Sequence, residues 1–221
     1  MKHNHPLHRF RDCSRWKLWE AWILATAIGE LIGLGIVVWA STQTQTFQKY
    51  PEGAFLLVGA LEGIILGCCQ WLVLRRYVPH IAGWIVATTI GAIVAWMGGS
   101  LVSLLMAVSY AWRSDAASAK AFYEGILLLG ASLGTVLGFA QWIVLRTHIR
   151  RASWWIFSST LAWAIGLLVA FMGADLPQPT WSEPQVALAR AATGAMMGIV
   201  IGSITGIVLV WLIQPSASKP R

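Results

Sequence analysis

The sequence predicts an all-α integral membrane protein of six transmembrane helices. They form three helical hairpins that repeat in parallel and are related by a pseudo-threefold axis along the membrane normal. Three observations predict this. The 221 residues are 57% hydrophobic and 11% charged, with 14 Trp, which leaves too few polar side chains to cover a water-soluble domain of this size. Lys and Arg fall into clusters separated by pairs of apolar runs. A glycine-rich helical motif also recurs at a nearly constant spacing.

The apolar runs lie at residues 18–40, 54–74, 81–109, 121–145, 152–173 and 187–213. Each reaches the roughly 20 residues that, at about 1.5 Å per residue, cross a hydrocarbon core of about 30 Å. Before them stands a basic head, residues 1–17, expected to be flexible and too polar to serve as a cleavable signal. The membrane domain is expected over 18–213, with hairpins 18–74, 81–145 and 152–213, followed by a short tail at 214–221. The connections are too short to hold an extramembrane domain.

Charge sets the expected orientation. Lys2, Arg9, Arg11, Arg15, Lys17, Arg75, Arg76, Arg146, Arg150, Arg151, Lys219 and Arg221 fall on one side, against Lys49, Arg113, Lys120 and Arg190 on the other. That split of twelve to four follows the positive-inside rule and puts both termini and the even-numbered connections in the cytoplasm. The net charge of +7 is therefore a record of topology and not of nucleic-acid binding. Trp16, Trp19, Trp71, Trp84, Trp142, Trp154, Trp155 and Trp211 fall near inner helix ends, and Trp39, Trp112 and Trp181 near outer ones, as two interfacial belts would require. Trp96 and Trp163 lie deeper, where a packing or lipid-facing role is favoured over stacking on a pigment. Cys13, Cys68 and Cys69 form no disulfide framework, because the last two are adjacent within one helix and the first lies on the inner side.

The repeat is the most specific signal. Gly67-Cys-Cys-Gln70-Trp71-Leu-Val-Leu-Arg75 matches Gly138-Phe-Ala-Gln141-Trp142-Ile-Val-Leu-Arg146 at an offset of 71 residues. The same offset aligns Gly59 with Gly130 and Gly63 with Gly134, and a further 68 residues reach Gly198, Gly202 and Gly206. In the odd helices, Trp22-Ile-Leu-Ala-Thr26-Ala-Ile-Gly29 matches Trp84-Ile-Val-Ala-Thr88-Thr-Ile-Gly91, with a weaker copy from Trp155 to Ala162. Glycines four apart share one helix face and let backbones approach closely in lipid. Each seam is expected to hold its own hairpin partner or to line the threefold axis. The Gln-Trp-Arg run at the inner interface reads structurally: Trp at the headgroups, Arg toward cytoplasm or phosphate, Gln70 and Gln141 on a neighbouring backbone or headgroup. A ligand role for these two glutamines is the sharper alternative. The Gly-x-x-Gln-Trp-x-x-Leu-Arg hairpin resembles one found in uncharacterised multi-pass membrane proteins frequent in cyanobacteria and related bacteria. That resemblance covers residues 53–173 best, implies a bacterial plasma or thylakoid membrane, and carries no activity to transfer.

Two acids break the repeat. Glu30 and Glu62 come near the bilayer midplane by rise arithmetic, where an ionisable residue costs about 2.5–3.5 kcal/mol on insertion scales. Glu30 aligns with Ala92 and Trp163, and Glu62 with Leu133 and Ile201, so the fold itself does not require acids there. Thr26 lies one turn before Glu30 on the same face, and no Lys or Arg lies deep enough to neutralise either acid, which favours the protonated form. A carboxylate pair can bind a cation, relay protons or ligate the magnesium of a chlorophyll; protonated, it can equally serve as hydrogen-bond glue between helices.

His3, His5 and His8 in the basic head lack the companions and fixed geometry of a metal site. His80 and His148 are expected to meet solvent or headgroups at inner loops. The segment from Asp175 to Pro184 reads as a rigid outer loop suited to a partner. No catalytic constellation or phosphate loop is present, so the sequence favours a non-enzymatic protein. It reads as an accessory, assembly or pigment-associated subunit of a membrane complex, in contact with lipid and with other membrane proteins or copies of itself, with chlorophyll or carotenoid as the candidate cofactor. The alternative is a small transporter or channel using the acid pair. Against it stands the scarcity of polar lining beyond Thr88, Thr89, Ser100, Ser103, Ser132, Thr135, Ser203 and Thr205.

Overall fold

A computed structural model describes residues 6–42, 49, 51–111, 117–178 and 180–213, without the side chains of 6–14, 37–42, 51, 52, 55, 100–111 and 117–119. The described chain is all helical: α1 (Pro6–Thr42), α2 (Pro51–Leu74), α3 (Gly83–Ala111), α4 (Ala117–Leu145), α5 (Trp154–Ala174) and α6 (Glu183–Leu212). No strand occurs among these residues. Among the described residues five helical segments are long and apolar enough to cross a bilayer: Arg15–Ile36, Leu56–Leu74, Lys120–Leu145, Trp154–Ala174 and Glu183–Leu212. Gly83–Gly99 is a shorter apolar stretch of α3. Exposed Leu, Ile, Val, Phe and Met side chains cover the outside of these helices, as lipid solvation requires and water would not tolerate.

The main departure from the expected spans is at the start. The first apolar run is expected from residue 18, and α1 already begins at Pro6. Residues 6–17 contain no Gly, and proline is well suited to a helix's first position, so nothing local stops the helix there. His3 and His5 lie outside the described residues, as do Trp112, Arg113, Asp115 and the tail from Gln214; the side chains of His8, Cys13, Trp39, Glu52, Ser100 and Ser103 do also. At the opposite end of the molecule, the loop after α5 closes with a capping box. Ser182 is the N-cap of α6, its backbone N–H donates to Gln185 Oε1 at 2.8 Å, and Pro184 occupies the first turn.

Each helix packs on its two neighbours in the order α1, α2, α3, α4, α5, α6 and back to α1, which makes a closed ring. The glycine seams decide the tightest contacts, and they do so differently from either expectation. They neither hold the hairpin partner nor line the axis. Gly59, Gly63 and Gly67 of α2 face α3, where a methyl group added at Gly63 would lie 2.6 Å from Thr89 Cα. Gly130, Gly134 and Gly138 of α4 face Trp163, Ala164, Ser159 and Ile156 of α5. Gly198, Gly202 and Gly206 of α6 face Ala27, Ile23, Trp19 and Trp22 of α1, so the last helix closes onto the first. The reason is geometric: an even helix has its hairpin partner on one flank and the next odd helix on the other, and the small-residue face is turned to the second.

The α2–α3 and α4–α5 connections are built alike. Arg75 N donates to Trp71 O, and Val78 N to Leu74 O; the same bonds run from Arg146 to Trp142 and from Ile149 to Leu145. His80, with φ of 58°, lies in the left-handed region in the first of these turns. We call this the arginine end.

Candidate functional site

The axis of the ring is closed near the arginine end by three indoles. Trp22, Trp84 and Trp155, one from each odd helix, meet edge to face with ring centroids 5.6–6.0 Å apart. All three are essentially inaccessible, seated with Leu18, Leu74, Ile81, Leu145 and Leu209 in one apolar cluster. Trp84 and Trp155 therefore do not belong to the interfacial belt in which sequence position put them. Near a helix end the belt is the default for Trp, but here the indole N–H groups find partners inside the ring and need no headgroup.

Those partners are the repeated glutamines. Trp84 Nε1 donates to Gln70 Oε1 at 3.2 Å, and Trp155 Nε1 donates to Gln141 Oε1 at 2.9 Å. Gln70 Nε2 donates to Thr26 Oγ1 at 3.3 Å. Gln141 Nε2 donates to Thr88 Oγ1 at 3.1 Å and to Gln70 Oε1 at 3.4 Å. In the third position Leu209 replaces the glutamine, and Trp22 Nε1 donates instead to Thr205 Oγ1 at 2.9 Å, one turn away. Thr205 in turn donates to the carbonyl of Ile201. Gln70 and Gln141 are buried and serve this network, not a headgroup or backbone. The neighbouring Trp71 and Trp142 are half-buried against the same cluster, with Arg75 and Arg146 stacked on their rings at 4.8 and 4.9 Å.

Beyond the indoles the ring encloses a cavity of about 520 Å³ to which all six helices contribute. Its base is formed by Leu66, Ala92, Leu137, Trp163 and Met197, and it extends along α5 as far as Ala174, a rise of about 16 Å. The lining is almost entirely apolar except for Glu30 and Glu62. The two acids thus face one space. Glu62 lies against Gly33, where an added Cβ would come within 3.0 Å of Glu62 Cγ. Trp96 Nε1 donates to Glu62 Oε2 at 2.6 Å. Glu30 is 3% exposed, and its Oε1 meets no hydrogen-bond partner. Thr26, one turn away, is occupied by Gln70.

The sequence reading missed three things: Trp96 as the donor to Glu62, Trp163 as a wall of the cavity, and the indole plug. The repeat carried a signal for the plug, since Trp22, Trp84 and Trp155 are in register. The other intramembrane hydroxyls are accounted for locally. Thr89, Ser132, Thr135 and Ser203 each donate to the carbonyl four residues back in their own helices. Cys68 and Cys69 are half-buried free thiols. Among the described residues no three His, Cys, Asp or Glu side chains are placed to hold a metal ion. No family model, curated protein or solved structure matches this chain. Length and apolarity of the helices define a membrane protein of multi-pass helical type.

Proposed function

We propose that this chain is a non-enzymatic multi-pass membrane protein that holds a small, largely apolar molecule on the axis of its helix ring. It acts as an accessory, assembly or pigment-associated subunit of a bacterial plasma or thylakoid membrane complex. Three parallel hairpins with both termini in the cytoplasm form the scaffold. Support for the threefold arrangement comes from the equivalent registers at which Gly63, Gly134 and Gly202 meet the next odd helix, and Trp22, Trp84 and Trp155 meet one another.

The observation that carries the binding reading is the cavity of about 520 Å³, within the range of small-molecule pockets, with polar groups at one place in an apolar wall. A polyene long enough to span the roughly 30 Å hydrocarbon core is too long for it, so a compact ligand suits the axis better than a carotenoid. The test is isolation in mild detergent, with mass spectrometry and an absorption spectrum. One small molecule per chain is expected, and Leu133→Trp, which fills the cavity from α4, is expected to release it while the helical circular dichroism is kept. Protein that is colourless, free of ligand and free of partners contradicts the proposal.

A transport reading is favoured by one observation. The axis is blocked at the arginine end by the indoles while the acids line open volume beyond, the form of one state in an alternating-access cycle. Flux in reconstituted vesicles that persists in Glu30→Ala and Glu62→Ala removes the acids from that reading.

A further inference from the structure

We infer that the molecule held in the cavity is a hydrophobic cation, with an amine or onium centre seated on Glu30 and Glu62 and an apolar body filling the remaining volume. The inference rests on the binding reading above and adds the chemical class of ligand. It starts from an imbalance of donors. Glu62 has one donor, Trp96, whereas Glu30 Oε1 is buried against the cavity with none. Such a group is costly to leave unmatched in an apolar surrounding. Two acids acting as interhelical glue would spend their oxygens on each other or on a neighbouring helix, and this oxygen is spent on neither.

Among the described residues no counter-charge is paired with the acids either. Arg190 of α6 precedes Met197 by seven residues, about 10 Å of rise toward the opposite end from the arginines. The remaining wall favours an organic cation over a metal ion. A hard cation demands six or more oxygen ligands, and this lining offers two carboxyls and hydrocarbon. The rings of Trp96, Trp163 and Phe171 border the same space and supply the aromatic surfaces on which organic cations are held. The repeat gives an internal control: Ala92 and Trp163 stand at the register of Glu30, and Leu133 at that of Glu62, so the acids are an addition to the scaffold.

The experiment is calorimetric titration of the full chain in non-ionic detergent with three probes of similar bulk: tetraphenylphosphonium, tetraphenylborate and neutral triphenylphosphine oxide. Tetraphenylphosphonium is expected to bind at least about tenfold more tightly than the other two. Glu30→Gln and Glu62→Gln are each expected to weaken it about tenfold or more without altering the binding of the phosphine oxide. Glu62→Gln keeps an acceptor for Trp96, so it serves where Glu30→Gln fails to fold. Equal affinity for cation and neutral probe, unchanged by either substitution but lost in Leu133→Trp, overturns the cation and leaves the cavity reading intact. Absence of binding by every probe, or binding indifferent to Leu133→Trp, overturns both.

Discussion

Replacing Gln141 by Leu tests whether the buried amide network is a structural requirement of the indole plug. The side chains are similar in size, so the change is chiefly polar. It removes the acceptor of Trp155 Nε1 at 2.9 Å and the donor to Thr88 at 3.1 Å and Gln70 at 3.4 Å. Trp155 is fully buried, and its N–H would be left without a partner. The expected cost is about 1–3 kcal/mol, above the ~0.6 kcal/mol typical of interhelical hydrogen bonds in membranes, because a buried donor loses its acceptor. At about 2–4 °C per kcal/mol for a chain of this length, unfolding should fall by about 2–12 °C. The third position of the ring supplies the rescue. There Leu209 stands where glutamine stands elsewhere, and Thr205, in register with Leu137, accepts the indole N–H. Leu137→Thr added to Gln141→Leu should therefore recover stability, although Leu137→Thr alone is destabilising. Thermal unfolding of the wild type, both single variants and the double variant in non-ionic detergent closes the cycle. A coupling energy below about 0.5 kcal/mol would refute the idea that threonine and glutamine are interchangeable acceptors for this indole.

Two further outcomes follow from the glycines. Gly63→Ala should destabilise by about 1–3 kcal/mol, since its methyl meets the backbone of Thr89, whereas Gly98→Ala, with nothing within 4 Å, should be neutral or stabilising by up to ~1 kcal/mol; paired thermal melts distinguish them. Gly33→Ala pushes on Glu62 Cγ but not on Glu30, so it should weaken binding of tetraphenylphosphonium with little loss of unfolding temperature, and equal loss of both would mean that Gly33 serves packing alone.

The helices were legible because lipid imposes a simple demand: an unbroken apolar run of spanning length, with positive charge at its ends. The starts of α2 through α6 fell within a few residues of expectation. Start positions alone do not say which helix a glycine face will meet. The seams of α2, α4 and α6 were visible as faces, yet their choice of the following helix over the hairpin partner depends on ring closure, a property of all six helices together. Trp84 and Trp155 show the same gap. An indole at a helix end is amphipathic enough for the interface, and only the presence of Gln70 and Gln141 at the right depth on a neighbouring helix makes burial cheaper. Glu30 and Glu62 stood out by cost alone, whereas the cavity they share follows from the small side chains of Ala92, Ala95 and Gly99 on α3, which leave the axis unfilled.

The contact between α6 and α1 has a consequence for how the protein is made. Ribosomal synthesis delivers helices in order, so the surface of α1 formed by Ile23 and Ala27, with Thr26 and Glu30 alongside, emerges first and waits longest for Gly198 and Gly202 to arrive. Throughout that interval a helix with a glutamate in its apolar span stands with an open flank. Biogenesis of this chain thus places its heaviest demand on whatever shelters the first helix until the last one is released.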